Sequence, residues 1–167
     1  MQQTHTEELA AAKGVIASKG VKEFKKQEIK SRFGKISVQV EKAISFPHGL
    51  PGMPEAVSFC VADFPNTAHD QFKILQCMNI EELSFIVVPA TYDNQLLEEK
   101  DAIDACSILG INPDDLLLLF IVTTHEEDSK RRLSVNAKAP IFVDSANKTA
   151  TQYVFQGKTY DIQHFIS

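Results

Sequence analysis

The 167-residue sequence has no tryptophan and only three cysteines, Cys60, Cys77 and Cys106. The cysteines fall in no metal-ligand spacing, and an odd number does not make a disulfide framework; free thiols in a reducing cytosol are expected. Each lies in an apolar-periodic segment, where a thiol packs as a small hydrophobe. Long hydrophobic runs are also missing. The longest, Leu116 to Val122, is strand-sized rather than membrane-sized. Met1 to Leu9 is polar and carries no secretory signal, so a soluble cytoplasmic protein is expected. Between Glu81 and Asp128 basic charge nearly vanishes, with 12 acidic side chains against Lys100 alone. Such a region repels nucleic acid and suits a basic partner, and it equally serves as a solvated face.

The signatures of catalysis are absent too. Histidines stand at 5, 48, 69, 125 and 164, with no i,i+4 pair. His125-Glu126-Glu127-Asp128 resembles half of a zinc helix, but Ser129 stands where the second histidine belongs, so a polar loop after a strand is expected. No glycine-rich turn with a phosphate-binding lysine and no nucleophile elbow occurs. Adjacent carboxylates without a converging pocket are poor evidence for acid–base work. No catalytic, cofactor-binding or metal-ligating residue is assigned. Two alternatives to a protein-binding role stay open. One is RNA binding through the lysine-rich N-terminus and Lys130-Arg131-Arg132; the other is a small metal-dependent hydrolase at His125.

What is present is a mainly β pattern. Residues 1–28 read as an N-terminal extension, disordered or a loose helix, because few large apolar residues occur there. Residues 29–167 read as one domain. Strands are expected at Ile36–Val40, Ala43–Phe46, Val57–Ala62, Phe72–Met78, Leu83–Val88 and Leu116–Thr124. Leu133–Val143 alternates around Pro140, placing that proline on an edge or at a bulge. Thr151–Phe155 and Lys158–Ile162 form a plausible last hairpin through Gln156-Gly157. One helix is expected over about 95–110, with Leu96, Leu97, Ile103, Cys106, Ile108 and Leu109 inward. Gly110 sits at its C-cap, and Glu98, Glu99, Asp101 and Asp104 lie outward. Seven or eight short strands and one helix imply a small antiparallel β-barrel-like domain.

The densest feature is Phe46-Pro47-His48-Gly49-Leu50-Pro51-Gly52. Proline fixes φ and glycine opens left-handed space, so the run reads as a shaped loop that loses little entropy when a partner docks. Gln76 and Asn136 are polar residues inside strand-like segments, able to bond backbone in the core or to present an amide to a partner.

Several segments together resemble the flagellar assembly factor FliW family. They are Ser31-Arg32-Phe33-Gly34-Lys35-Ile36 and Ile44 to Gly52, then Phe72 to Gln76 with Leu83 to Pro89. Leu109-Gly110-Ile111 with Leu117 to Thr123, and Leu133 to Ile141, complete the set. The resemblance covers about residues 30–165. It departs at Met78-Asn79-Ile80-Glu81, where the family carries Asp-Pro, and at Ala137, where leucine is common. The resemblance implies a non-enzymatic binder of two partners in turn, flagellin and the translational repressor CsrA. Binding CsrA would relieve repression of flagellin synthesis, with no membrane, cofactor or direct nucleic-acid contact. The expected contact regions are the Phe33-Gly34 turn, the loop residues Pro47, Gly49, Leu50, Pro51 and Gly52, and Glu98, Glu99, Asp101 and Asp104. Gln76, Asn136, Lys138 and Pro140 complete the candidates.

Overall fold

A computed structural model describes residues 25–65, 71–90 and 96–167. The expected extension over 1–28 lies outside this range except at its end. There, β1 (Lys26–Ser31) pairs antiparallel with β2 (Gly34–Gln39) as a separate hairpin. The chain then runs through β3 (Ile44–Ser45), β4 (Ser58–Asp63), β5 (Lys73–Cys77) and β6 (Ser84–Pro89). Helix α1 (Glu99–Leu109) follows, then β7 (Leu116–Glu127), β8 (Lys130–Val135), β9 (Ile141–Asp144), β10 (Thr149–Gln152) and β11 (His164–Phe165).

The large sheet closes on itself. Its order is β11-β8-β7-β6-β5-β4-β3-β10-β9, and β9 returns to pair with β7 over Leu119↔Ile141 to Leu116↔Asp144. Strand β7 makes this possible because it is long. One edge carries β6; the other carries β9 along its first half and β8 from Val122 onward. The closure removes most free sheet edges.

Burial explains the apolar run in β7. Leu117, Leu119 and Ile121 point into the barrel, while Leu116, Leu118, Phe120 and Val122 pack outward beneath α1. A strand covered on both faces needs no polar alternation. The barrel interior is filled by Phe59, Leu75, Val87, Ile141 and Val143 among others. The β1–β2 hairpin covers the outer face of β4–β5 through Ile36, Val38, Cys60, Ala62 and Ile74. The fold is therefore hairpin on barrel on helix, mainly β as expected.

Four expectations are corrected. Pro140 lies within no strand: β8 ends at Val135, and residues 136–140 cross over to β9. Asn136 donates its amide to Ile121 O while Asn136 Oδ1 accepts from Ala139 N, which turns the chain away from β7. The last hairpin does not form, because β10 pairs with β9 and β11 with β8. Tyr153, Phe155 and Tyr160 instead pack as a chain of aromatic contacts against Phe142. His125 to Glu127 belong to β7 rather than to a loop. The turn is Asp128-Ser129, whose positive φ values of 51° and 63° make the two-residue connection that suits strand twist. Ile103 and Ile108 face solvent, at 46% and 70% exposure, and Ala102, Ala105 and Cys106 form the inward face of α1.

Asp144 pins the β9–β10 turn. Its carboxylate accepts from Ala146 N, Asn147 N and Asn147 Nδ2, and the Asn147 bonds hold its pKa below the ordinary carboxylate value. A depressed folded pKa stabilises the fold above the unfolded value, and this is lost as pH falls through the folded one. Asp144→Asn is expected to lower the melting temperature at pH 7. The gap to the parent should close under strongly acidic conditions, and a gap independent of pH would contradict this role.

Candidate partner-binding surface

The Pro/Gly loop plugs one end of the barrel. Phe46, Leu50 and Ala56 are buried with Phe59, and the Phe46 ring packs tilted against Phe59 at a centroid distance of 4.7 Å. Two turns build the plug. Gly49 N donates to Phe46 O, and Met53 N donates to Leu50 O around Pro51-Gly52. Gly52 has φ of +79°, the left-handed position that follows proline in a type II turn. Gly49 has φ of +62° and no room for a Cβ, which would stand 2.5 Å from Met53 O. Asn79 ties this plug to the β5–β6 connection. Its Oδ1 accepts from Val57 N and Ser58 N, and its Nδ2 donates to Glu55 O at 2.6 Å. The departure from the family pattern at Asn79 is thus a structural tie, which the sequence did not signal.

Gln76 is 1% exposed and presents nothing outward. Its Nε2 donates to Cys77 O, Glu81 O and Leu83 O, clamping the same connection. The two readings of this residue resolve toward backbone bonding in the core. Leu50, Gly49 and Pro140 are likewise buried. Lys138 is half-buried, with Nζ donating to Gly157 O and its backbone bonded to Asp161 and Phe155. Exposed candidates are Gly34, Pro47, Pro51, Gly52, Glu98, Glu99 and Asp104. Phe33 is half-buried, edge-on to Phe64 with the Arg32 guanidinium over its ring. Ser31 shapes that turn, its Oγ accepting from Phe33 N and donating to Gly34 O. These candidates do not form one surface: the turn belongs to the hairpin layer, the loop to a barrel end, and the acids to α1.

The acids on α1 separate into two kinds. Asp101 accepts a short hydrogen bond from Tyr160 Oη, and Tyr160 Oη accepts from Glu98 N. Burial first, then the bond to Asp101, raises the Tyr160 pKa, which keeps the hydroxyl a donor. Asp101 therefore ties the C-terminal segment to the helix start. Tyr160→Phe is expected to cost about 1 kcal/mol, the scale of a lost hydrogen bond with a stranded partner, read as a lower unfolding midpoint in urea. An unchanged midpoint would show that the bond carries nothing. Glu99 and Asp104 are exposed and flank Ile103 and Ile108 on the outward face. Carboxylates near the helix start also suit its dipole.

Burial raises the pKa of Cys60 and Cys106, with Glu41 adding to the effect at Cys60. A raised thiol pKa opposes nucleophilic use. His125 Nε2 is hydrogen-bonded to Ser134 Oγ at 2.7 Å. Among the described residues, no three His, Cys, Asp or Glu side chains converge on a metal-sized site. In the basic cluster, Arg131 pairs with Glu126 and Arg132 lies over Phe165. No helix among the described residues is long and apolar enough to cross a membrane.

Comparison with known proteins agrees with this architecture. The family model described as FliW protein matches residues 27–166. The flagellar assembly factor FliW of Oceanobacillus iheyensis is 29% identical, over 80% of this chain and 88% of its own length. That of Thermoanaerobacter pseudethanolicus is 30% identical, over 79% and 87%. A crystal structure of the flagellar assembly factor FliW superposes with a TM-score of 0.63 at 22% identity, covering 83% of this chain and 96% of that one. With the model spanning the barrel, the hairpin and the C-terminal segment together, the chain belongs to the FliW family.

Proposed function

We propose that this protein is a cytoplasmic flagellar assembly factor that works by binding rather than by catalysis. Its partners in this reading are flagellin and the repressor CsrA, held in turn. When flagellin is exported, the freed protein takes up CsrA, and flagellin synthesis resumes. The observation that carries the reading is the outward face of α1, where exposed Ile103 and Ile108 lie among Glu99 and Asp104. Exposed apolar side chains beside carboxylates that outnumber the one lysine of the helix, Lys100, are the makings of an interface with a basic partner. The carboxylates draw an RNA-binding protein in, and the isoleucines supply contact area once water is excluded. Family membership supports the two-partner logic, and the burial of all three thiols supports a role without covalent chemistry.

Calorimetric titration of the full chain with CsrA and, separately, with flagellin from the same cell tests the reading. Saturable binding to both is expected. Absence of heat with both partners, from protein whose melting transition is intact, would refute it.

A further inference from the structure

Among the described residues, the barrel end opposite the plug carries a cavity. The strand registers fix the two ends: Phe59 and Cys77 lie toward the plug, whereas Val61, Asp63 and Lys73 lie toward the other end with Leu117 and Val143. There the cavity, of about 750 Å³, opens between the barrel and the β1–β2 hairpin. Its floor is apolar, built from Ile44, Val61, Leu117 and Val143. Val61 follows the inward alternation of Phe59 yet remains 37% exposed, a large apolar side chain at the mouth. The rim is cationic, with Lys26, Lys35, Lys42, Lys73 and Lys148 lining the cavity. Asp63, the one carboxylate among the described lining residues, is paired with Lys73 at 2.6 Å. In a chain of net charge −5, this is a local reversal of sign.

The hairpin register sharpens the point. Lys35 stands directly across from Lys30. Like charges opposite one another in a ladder work against the hairpin's own stability. An anion at the mouth would offset that cost.

We propose that this mouth seats an acidic peptide segment of a partner protein, one apolar side chain resting on the floor and carboxylates meeting Lys26 and Lys35. The geometry favours a peptide over other anions. Directly beneath the floor, the bulky side chains of Phe59, Leu75, Leu119 and Ile141 are buried in the barrel, where a fatty-acyl chain would have to displace them. Single-stranded nucleic acid stacks its bases on exposed aromatics. The one aromatic among the described lining residues, Phe64, is already engaged edge-on with Phe33. A cavity of this volume, with an apolar floor and a charged rim, suits several residues of an anchored segment. This mouth is distinct from the α1 face, and its charge calls for a partner of opposite sign.

The test is fluorescence anisotropy of the full chain with a fluorescein-labelled dodecapeptide of alternating glutamate and aspartate with one central leucine. Saturable binding that weakens with salt is expected. Binding should fall on the order of tenfold when the leucine is replaced by serine, and similarly in the Lys26→Glu/Lys35→Glu variant, as charge complementarity at a rim predicts. That variant should fold, since Lys35→Glu sets a carboxylate opposite Lys30; its melting curve checks this. Val61→Ser is a second, independent probe and should weaken binding without changing the salt dependence. No saturation, equal binding by the charge-reversed variant, tighter binding of a uridine dodecamer, or displacement of the peptide by dodecanoate would each overturn the proposal.

Discussion

Gly49→Ala should destabilise the protein by about 3 kcal/mol, combining the left-handed backbone cost for a residue with a Cβ and the cost of overpacking. Gly49 has φ of +62°, and an added Cβ would stand 2.5 Å from Met53 O and 2.6 Å from Pro54 Cα and O. All three are backbone atoms of the same tight loop, so no side chain can swing aside to make room. The strain would pass to Phe46 and Leu50, which the loop drives into the barrel end. In a domain of this size the melting temperature should drop by roughly 6–12 °C. Gly52→Ala is the internal control. Gly52 also has positive φ, at +79°, but nothing lies within 4 Å of its added Cβ. Only the backbone cost of about 1 kcal/mol applies there. Equal losses for the two variants would show that the plug tolerates displacement, contrary to the geometry.

The second large effect concerns α1. Ile103→Gln/Ile108→Gln should weaken CsrA binding on the order of a hundredfold, the loss expected when two anchor side chains leave an interface centre. Glu99→Lys/Asp104→Lys should weaken it about tenfold at low salt, mainly through slower association, with the difference shrinking as salt rises. All four side chains are exposed, so melting curves should match the parent within a few degrees. Asp101 is left out of the charge reversal because its bond from Tyr160 holds the C-terminal segment to the helix. Reversing it would mix a folding defect with a binding defect. Unchanged CsrA affinity in both double variants would remove α1 from the interface.

The sequence made local features legible and long-range ones not. Gly110 at the α1 C-cap is read correctly because a left-handed residue, with φ of 72°, is a local demand that glycine meets. The core of β7 is likewise visible as an unbroken apolar run. Its pairing with β9, which closes the barrel, leaves no local mark, because either edge of a strand can pair. Ile103 and Ile108 mislead for a related reason. A period of 3.6 defines a stripe only when one face is consistently apolar, and in α1 small Ala102 and Ala105 take the inward face. The C-terminal segment shows alternation and a Gly157 turn but spends its aromatics on Phe142 instead of on a hairpin. Tertiary packing won over local pattern there. At the candidate site, the shaped loop and the acids of α1 were visible in the residues. The roles of Asn79 and Tyr160, both side-chain bonds to groups distant in sequence, were not.

The measurement that tests the two-partner account most directly is a competition titration. The full chain is saturated with flagellin, and CsrA is then titrated in by calorimetry, alongside a titration into the free chain. The account predicts tight CsrA binding to the free chain and a large loss of apparent affinity with flagellin bound, since the two are held in turn. Equal CsrA affinity in the presence and absence of bound flagellin would contradict it.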